Sequence, residues 1–294
     1  MTSFNRNINY WAATIGGTPA AFATALSDAL IGAGWVLTSD TGQTAAASMA
    51  VGGYHIFKMN DSLAATVPVF IKIDYYNSSW QSYPSYGNCS FGVTVGAGSN
   101  GSGTITNGCQ RVTFTSRSFN SNNGYNLPQS SWISADSVSL NVFLWQSTSG
   151  HQLFSIERTR DLTGVVTAGG FTFMGYGIND NANGAVNTAG FTYLQVAGGS
   201  ARKIQTQWMH FLPSIDSSHG GGYSTLMSGN NVRFIPLHCF SVEGNSSPIG
   251  FIEYFNSDLP INNIITLTLN GVSYNYLPLS DTGPNGRSLA MRWI

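Results

Sequence analysis

The chain has 294 residues, 42% hydrophobic and 13% aromatic, yet only 9% are Asp, Glu, Lys or Arg, against roughly 25% in an average soluble domain. Twelve basic and thirteen acidic side chains leave a formal charge of −1, which argues against a nucleic-acid-binding surface. The apolar content argues against disorder, and no run reaches the ~18 apolar residues of a membrane span.

Met1 to Tyr10 lack the basic region and apolar core of a secretory leader, so export by that route is not expected. A helix is predicted over 18–31, with Thr18 as N-cap, Pro19 in the first helical position and Gly32 or Gly34 as the stop. Phe22, Leu26 and Leu30 recur every four residues, an apolar stripe that must pack on a sheet. Trp35-Val36-Leu37 reads as a short extended segment.

The pattern then changes to period two. Strands are predicted at 54–59 and 69–76, separated over 60–68 by a turn or one helical turn that ends before Pro68. Further strands are expected at 89–96, 110–116, 137–146, 152–159, 170–176, 191–197, 232–240, 250–254 and 264–269. Asn270-Gly271 predicts a type I′ hairpin between the last of these and 272–277, because both turn positions favour positive φ. Gly170-Phe171-Thr172-Phe173-Met174 is echoed by Gly190-Phe191-Thr192-Tyr193-Leu194, read as two arms of a hairpin around 179–187. Gly/Ser/Asn stretches at 96–103, 116–124 and 217–224 read as long surface loops.

These elements predict a mainly β fold, an antiparallel sandwich or α+β arrangement, with one N-terminal helix packed on a sheet and a single domain over 1–294. Strands do not alternate with helices, so a doubly wound parallel sheet is excluded.

No group of residues spells out a catalytic mechanism. Cys89, Cys109 and Cys239 read as free buried thiols, with a Cys89–Cys109 bridge as the open alternative. Five Asn-x-Ser/Thr matches, at Asn60, Asn77, Asn88, Asn100 and Asn245, are what so Asn- and Ser-rich a chain produces by chance. His210, His219, His238 and Cys239 lack a metal-binding spacing, and adjacent His238 and Cys239 would point to opposite faces of a strand. The run from Asn179 to Gly184 partly matches a calcium loop, but its twelfth position is Gly190 where a bidentate Glu is needed. It reads as a hairpin tip.

Glu243, Glu253 and Asp258 are the one acidic grouping a glycan hydrolase could use. Gly222-Tyr223-Ser224-Thr225 lacks the closing glycine of a nucleophile elbow, and the glycine clusters lack a P-loop Lys. No catalytic residue, metal or cofactor is therefore assigned. Trp80, Tyr83, Tyr86, Trp132 and Trp145 suit stacking on a sugar or a partner protein, with core packing the default for each alone. The run from Tyr75 to Tyr86 sets Tyr75, Tyr76, Trp80, Tyr83 and Tyr86 in a polar, turn-rich context, and is read as a contact surface.

Three segments carry a family resemblance: Gly34-Trp35-Val36-Leu37, then Tyr54-His55-Ile56-Phe57-Lys58-Met59-Asn60-Asp61, then Ala65-Thr66-Val67-Pro68-Val69-Phe70-Ile71-Lys72-Ile73-Asp74-Tyr75. Together with the terminal Ser288-Leu289-Ala290-Met291-Arg292-Trp293, they resemble virion proteins of tailed bacteriophages. The resemblance covers about a quarter of the chain. It implies a non-enzymatic structural component of the tail, baseplate or neck, found in the virion after assembly in the host cytoplasm. Its implied partners are other virion proteins and copies of itself, and it carries over no catalytic residue. Two alternatives stay open: a host receptor- or glycan-binding module at the tail tip, and a glycan depolymerase.

Overall fold

The computed structural model describes residues 3–8, 19–46, 48, 53–75, 90–115, 130–147, 150–179, 187–195, 199, 201–203, 233–235, 239–241, 244–255, 263–269, 271–281 and 287–294. In chain order the elements are β1 (Ser3–Ile8), α1 (Pro19–Gly32), β2 (Val36–Leu37), β3 (Gly53–Lys58), β4 (Phe70–Tyr75), β5 (Ser90–Ser99), β6 (Ile105–Gly108), β7 (Val112–Thr115), β8 (Ser130–Asp136) and β9 (Ser139–Ser147). They continue with β10 (Gly150–Arg160), β11 (Val166–Asn179), β12 (Asn187–Leu194), β13 (Arg202–Lys203), β14 (Arg233–Ile235), β15 (Cys239–Ser241), β16 (Gly244–Ser246), β17 (Phe251–Phe255), β18 (Ile265–Leu269), β19 (Val272–Asp281) and β20 (Arg287–Arg292). The fold is mainly β with a single α-helix among the described residues, and the described pairings are antiparallel.

Helix α1 starts at the expected Pro19; Thr18 and the Phe22 side chain lie outside the described residues. Its stop is Gly34. The Gly34 amide donates to Ile31 O and the Trp35 amide to Leu30 O, both at 2.9 Å, with Gly34 at φ +92°. That is a Schellman closure, which needs the left-handed conformation glycine takes without strain. The stripe Ala23, Leu26, Leu30 and Ala33 is fully buried. Trp35 follows it into the core, and its indole Nε1 donates to Asp136 O at 2.7 Å.

Two leaves face each other across this core. One runs β1-β8-β9-β10-β11-β12-β13, the other β2-β3-β4-β5-β7 with β6 alongside β5. Strand β11 joins them: it pairs with β10 as far as Leu153↔Tyr176, and its last residues, Ile178 and Asn179, pair with Thr113 and Val112 of β7. Alternation does the rest, turning Ile71, Ile73 and Tyr75 of β4 inward. A series of rings runs through the core: Phe91 stacks on its strand neighbour Phe114 at 5.1 Å, Phe114 meets Phe154 across the gap, tilted, at 4.8 Å, and Phe154 stands edge-on to Phe173 of the adjacent strand at 6.2 Å. Each such pair contributes about 0.5–1.5 kcal/mol beyond the area it buries.

The expected hairpin around 179–187 is present, with Thr172↔Leu194 through Asn179↔Asn187 in register. Other expectations need correction. The stretch 96–103 is not all loop, since Gly96 to Ser99 belong to β5 and only the tip turns. Gly96 serves close approach, because a Cβ there would run into Ile105 and the Gly108 backbone of β6. The strand expected over 232–240 is two, Arg233–Ile235 and Cys239–Ser241; Pro236 between them has no N–H for a ladder. The stretches 116–124 and 217–224 lie outside the described residues.

The C-terminal sheet has the order β14-β17-β20-β19-β18. Its β18–β19 hairpin closes as expected, with Leu269 opposite Val272 and Gly271 at φ +79°. Met291 and Trp293 of this sheet pack with Trp132, Phe143, Leu153 and Met174 on the outer face of the first leaf, whereas Arg292 reaches Asp136. Successive strand residues point to opposite faces, so the end of β20 abuts the leaf, with its cross-strand neighbours Phe251 and Leu277 packed beside it.

Candidate functional site

Of the expected contact surface, only Tyr75 is described, and it is not on the surface. It is 2% exposed, the last inward position of β4, with its ring edge-on to His55 at 5.4 Å. Period two places it there, so the aromatic segment can begin only after it. Tyr76, Trp80, Tyr83 and Tyr86 lie outside the described residues. Trp132 is core, tilted against Phe143 at 5.6 Å; the Trp145 backbone is in β9.

Glu253 lies in β17 opposite Ile235 and Leu289, while Glu243 and Asp258 are outside the described residues, as are His210, His219, His238, Cys89 and residues 180–184. Cys239 is in β15. Cys109 is a free, buried thiol that accepts the Val95 amide at 3.3 Å. Burial pushes it up to about 12, against the lowering effect of that bond. Among the described residues no three His, Cys, Asp or Glu converge as metal ligands would.

The structure instead gathers carboxylates that sequence patterns leave scattered. Asp136, at the end of β8, accepts the Val138 amide at 2.9 Å and the Ser139 hydroxyl at 2.8 Å on one oxygen and Arg292 Nη2 at 3.0 Å on the other. With Trp35 on its carbonyl, this one residue ties the helix exit, the β8–β9 turn and β20 together. Glu157 of β10 is fully buried and accepts Arg160 Nε at 3.1 Å and the amides of Ile249 and Gly250 at 2.9 and 3.1 Å. Tyr276 donates to Ile249 O at 2.8 Å from the C-terminal sheet; burial, then the nearby Glu157 charge, raises its phenol well above the ordinary value. On the other face of β10, Arg158 grips Asp61.

These groups are paired and enclosed, so their chemistry is cohesion: each holds one layer to the next. A buried charge is tolerated only with such partners. A register shift between Arg158 and Arg160 lets two nearby cations of one strand serve opposite faces.

A second polar cluster closes the end of the other leaf. Asp40 accepts Thr38 Oγ1 at 2.6 Å, the Ser99 hydroxyl, and the Gly103 amide at 3.3 Å. Burial pushes its carboxyl up, but these bonds outweigh it and hold the group below its ordinary value. Nearby, His55 Nε2 donates to Thr44 O at 2.6 Å while Nδ1 is buried with no hydrogen-bond partner among the described residues. Burial lowers the pKa of this imidazole, only partly offset by the Thr44 bond. Outside, Lys72 pairs with Asp74 at 2.8 Å and lies over the Tyr54 ring at 4.5 Å.

The remaining surface of note is the β18–β19 hairpin. Residues 259–280 contain no Asp, Glu, Lys, Arg or His. Ile264 and Val272 are about half exposed, at 54% and 49%, while Ile265, Leu267, Leu269 and Tyr274 pack partly buried on Ile252, Tyr276 and Ala290. No protein-family model and no curated protein matches the chain.

Proposed function

We propose that the protein is a non-enzymatic structural subunit of a tailed-bacteriophage particle, a tail, baseplate or neck component that assembles with copies of itself. The observation that carries the reading is the distribution of charge. Asp61, Asp136, Glu157, Arg158 and Arg160 are buried in joints between layers, while residues 259–280, with the partly exposed β18–β19 turn, carry no charge. A subunit covered by identical neighbours benefits from this arrangement, since unpaired charges are costly at the centre of an interface. The resemblance of segments in 34–75 and of the chain's end to phage virion proteins supports the same reading. Native mass spectrometry of the purified chain and mass spectrometry of purified particles test it: oligomers and particle-borne copies are expected, and a stable monomer absent from particles would overturn it.

The aromatic run beyond Tyr75 favours a second reading, a host glycan- or receptor-binding module. Under it, replacing Trp80, Tyr83 and Tyr86 by Ser abolishes binding on a glycan array while leaving assembly intact.

A further inference from the structure

We infer that the outer edge of β18 is a self-pairing interface, where two copies of the chain join antiparallel about Leu267 and continue the C-terminal sheet from one copy into the next. The inference rests on the self-assembly part of the reading above and not on where the assembly resides.

Strand β18 pairs with β19 on one side, and no described strand pairs with the other. An open edge offers unpaired amides and carbonyls, and proteins normally blunt it by shortness, a charge or a bulge. The strands that end the other described sheet paths are so blunted. Strands β2 and β13 are two residues long, the latter being Arg202-Lys203; β14 has three residues including Arg233; β15 and β16 have three each; β1 carries Arg6; and β6 has four residues with Asn107 at φ +50°. Strand β18, Ile-Thr-Leu-Thr-Leu, has none of these guards.

Its backbone phase selects the partner. The two-residue turn makes Leu269 and Val272 a hydrogen-bonded pair, so alternation turns the backbone groups of Leu269, Leu267 and Ile265 toward β19 and those of Thr266 and Thr268 outward. In an antiparallel copy centred on Leu267, Thr266 of one chain lies opposite Thr268 of the other, so the outward amides and carbonyls satisfy one another. Leu267 meets its own copy and Ile265 meets Leu269, so the half-buried apolar row beside Tyr274 continues across the junction. No charged residue opposes another. The same strand is thus complementary to itself in hydrogen bonding, in apolar pattern and in charge, as a two-fold interface requires.

The test exploits that register with the full chain. In the double variant Thr266→Lys, Thr268→Lys, each introduced ammonium would face another from the opposite copy; in Thr266→Lys, Thr268→Glu, the same sites carry opposed charges that attract. Both threonines are exposed, and far-UV circular dichroism of the two variants checks that the fold is kept. Sedimentation velocity is expected to show self-association weakened about tenfold or more in the Lys/Lys chain and restored to near wild type in the Lys/Glu chain. Hydrogen exchange should show the Thr266 and Thr268 amides gaining protection as wild-type concentration rises. Equal self-association of all three chains would overturn the interface while leaving self-assembly standing. A wild-type chain that stays monomeric and is absent from particles would overturn both.

Discussion

Arg158 and Asp61, 97 residues apart in the chain, are joined by two parallel hydrogen bonds, Nε to Oδ2 at 2.8 Å and Nη2 to Oδ1 at 2.6 Å. The guanidinium is fully enclosed, and its remaining Nη1 donates to Val67 O, in the turn that follows Asp61. The pair therefore clasps the Asp61–Val67 turn of one leaf to the central strand β10 of the other. Breaking such a pair from one side leaves an uncompensated buried charge, which costs about 3–5 kcal/mol. Asp61→Asn should show that loss in urea unfolding, whereas Arg158→Met combined with Asp61→Leu should lose less than either single change. An additive double variant would mean that the two side chains do not act as a unit.

Gly250 offers a separate test of the joint with the C-terminal sheet. A Cβ there would run into Asn141 Oδ1 and Ser155 Oγ, which line the outer face of the first leaf beside Glu157. Gly250→Ala should destabilise the protein by about 1–3 kcal/mol through overpacking and expose the 244–255 region to protease. Gly271→Ala is the informative comparison. It meets nothing within 4 Å but sits at φ +79° in the hairpin turn, so its cost of about 1 kcal/mol is local strain and should leave the joint protected.

The elements most legible in the sequence are those whose inward residues are large and whose outward ones are polar. Strand β4 shows this, with Ile71, Ile73 and Tyr75 inward and Lys72 and Asp74 outward, as does α1 with its Pro19 start and Gly34 stop. Strand β8 is not legible because it is covered on both faces: Ser131, Ile133 and Ala135 face one way, Trp132, Ser134 and Asp136 the other, and all are buried. Small polar side chains at covered positions erase the period-two signal. The joints are invisible for a different reason. Asp61, Asp136 and Glu157 find Arg158, Arg292 and Arg160 through tertiary contact and a strand irregularity, and no spacing encodes that. Tyr75 departs from the expected contact surface because its polar, aromatic followers set the sequence context, whereas its own strand alternation decides its side.

His55 predicts a pH dependence of defined sign. Thr44 O can only accept, so Nε2 carries the proton, and the buried Nδ1, without a hydrogen-bond partner among the described residues, is a bare lone pair on a ring packed edge-on to Phe57 and Tyr75. Protonating Nδ1 would bury a charge there, which is why the folded pKa lies below the ordinary 6.5. The unfolded chain binds the proton more readily, so the contribution is fully present above about pH 6.5 and is lost as pH falls through the folded value. Asp40, also lowered, acts in the same direction but only near and below its ordinary 3.8. Urea unfolding of His55→Phe should therefore lose the part of the stability slope between pH 7 and 5 that the wild type shows; identical slopes would place the titration elsewhere.

Cys109 predicts reactivity. Its sulfur sits at the β5–β6 junction accepting the Val95 amide, and burial raises the thiol from 9.0 to about 12. A rise of that size reduces the thiolate fraction at pH 8 about a thousandfold, and the thiolate is the form that alkylates. Iodoacetamide at that pH should leave the Cys109 peptide unlabelled in the native protein and modify it readily in urea, as mass spectrometry of the digest would show. Linkage has the opposite sign to that of His55, since the unfolded thiol loses its proton first: the contribution is whole below about pH 9 and disappears as pH rises toward 12. Native labelling as fast as in urea would mean that β6 does not hold the thiol closed, and with it would fall the reading of Gly96 as a close-approach position.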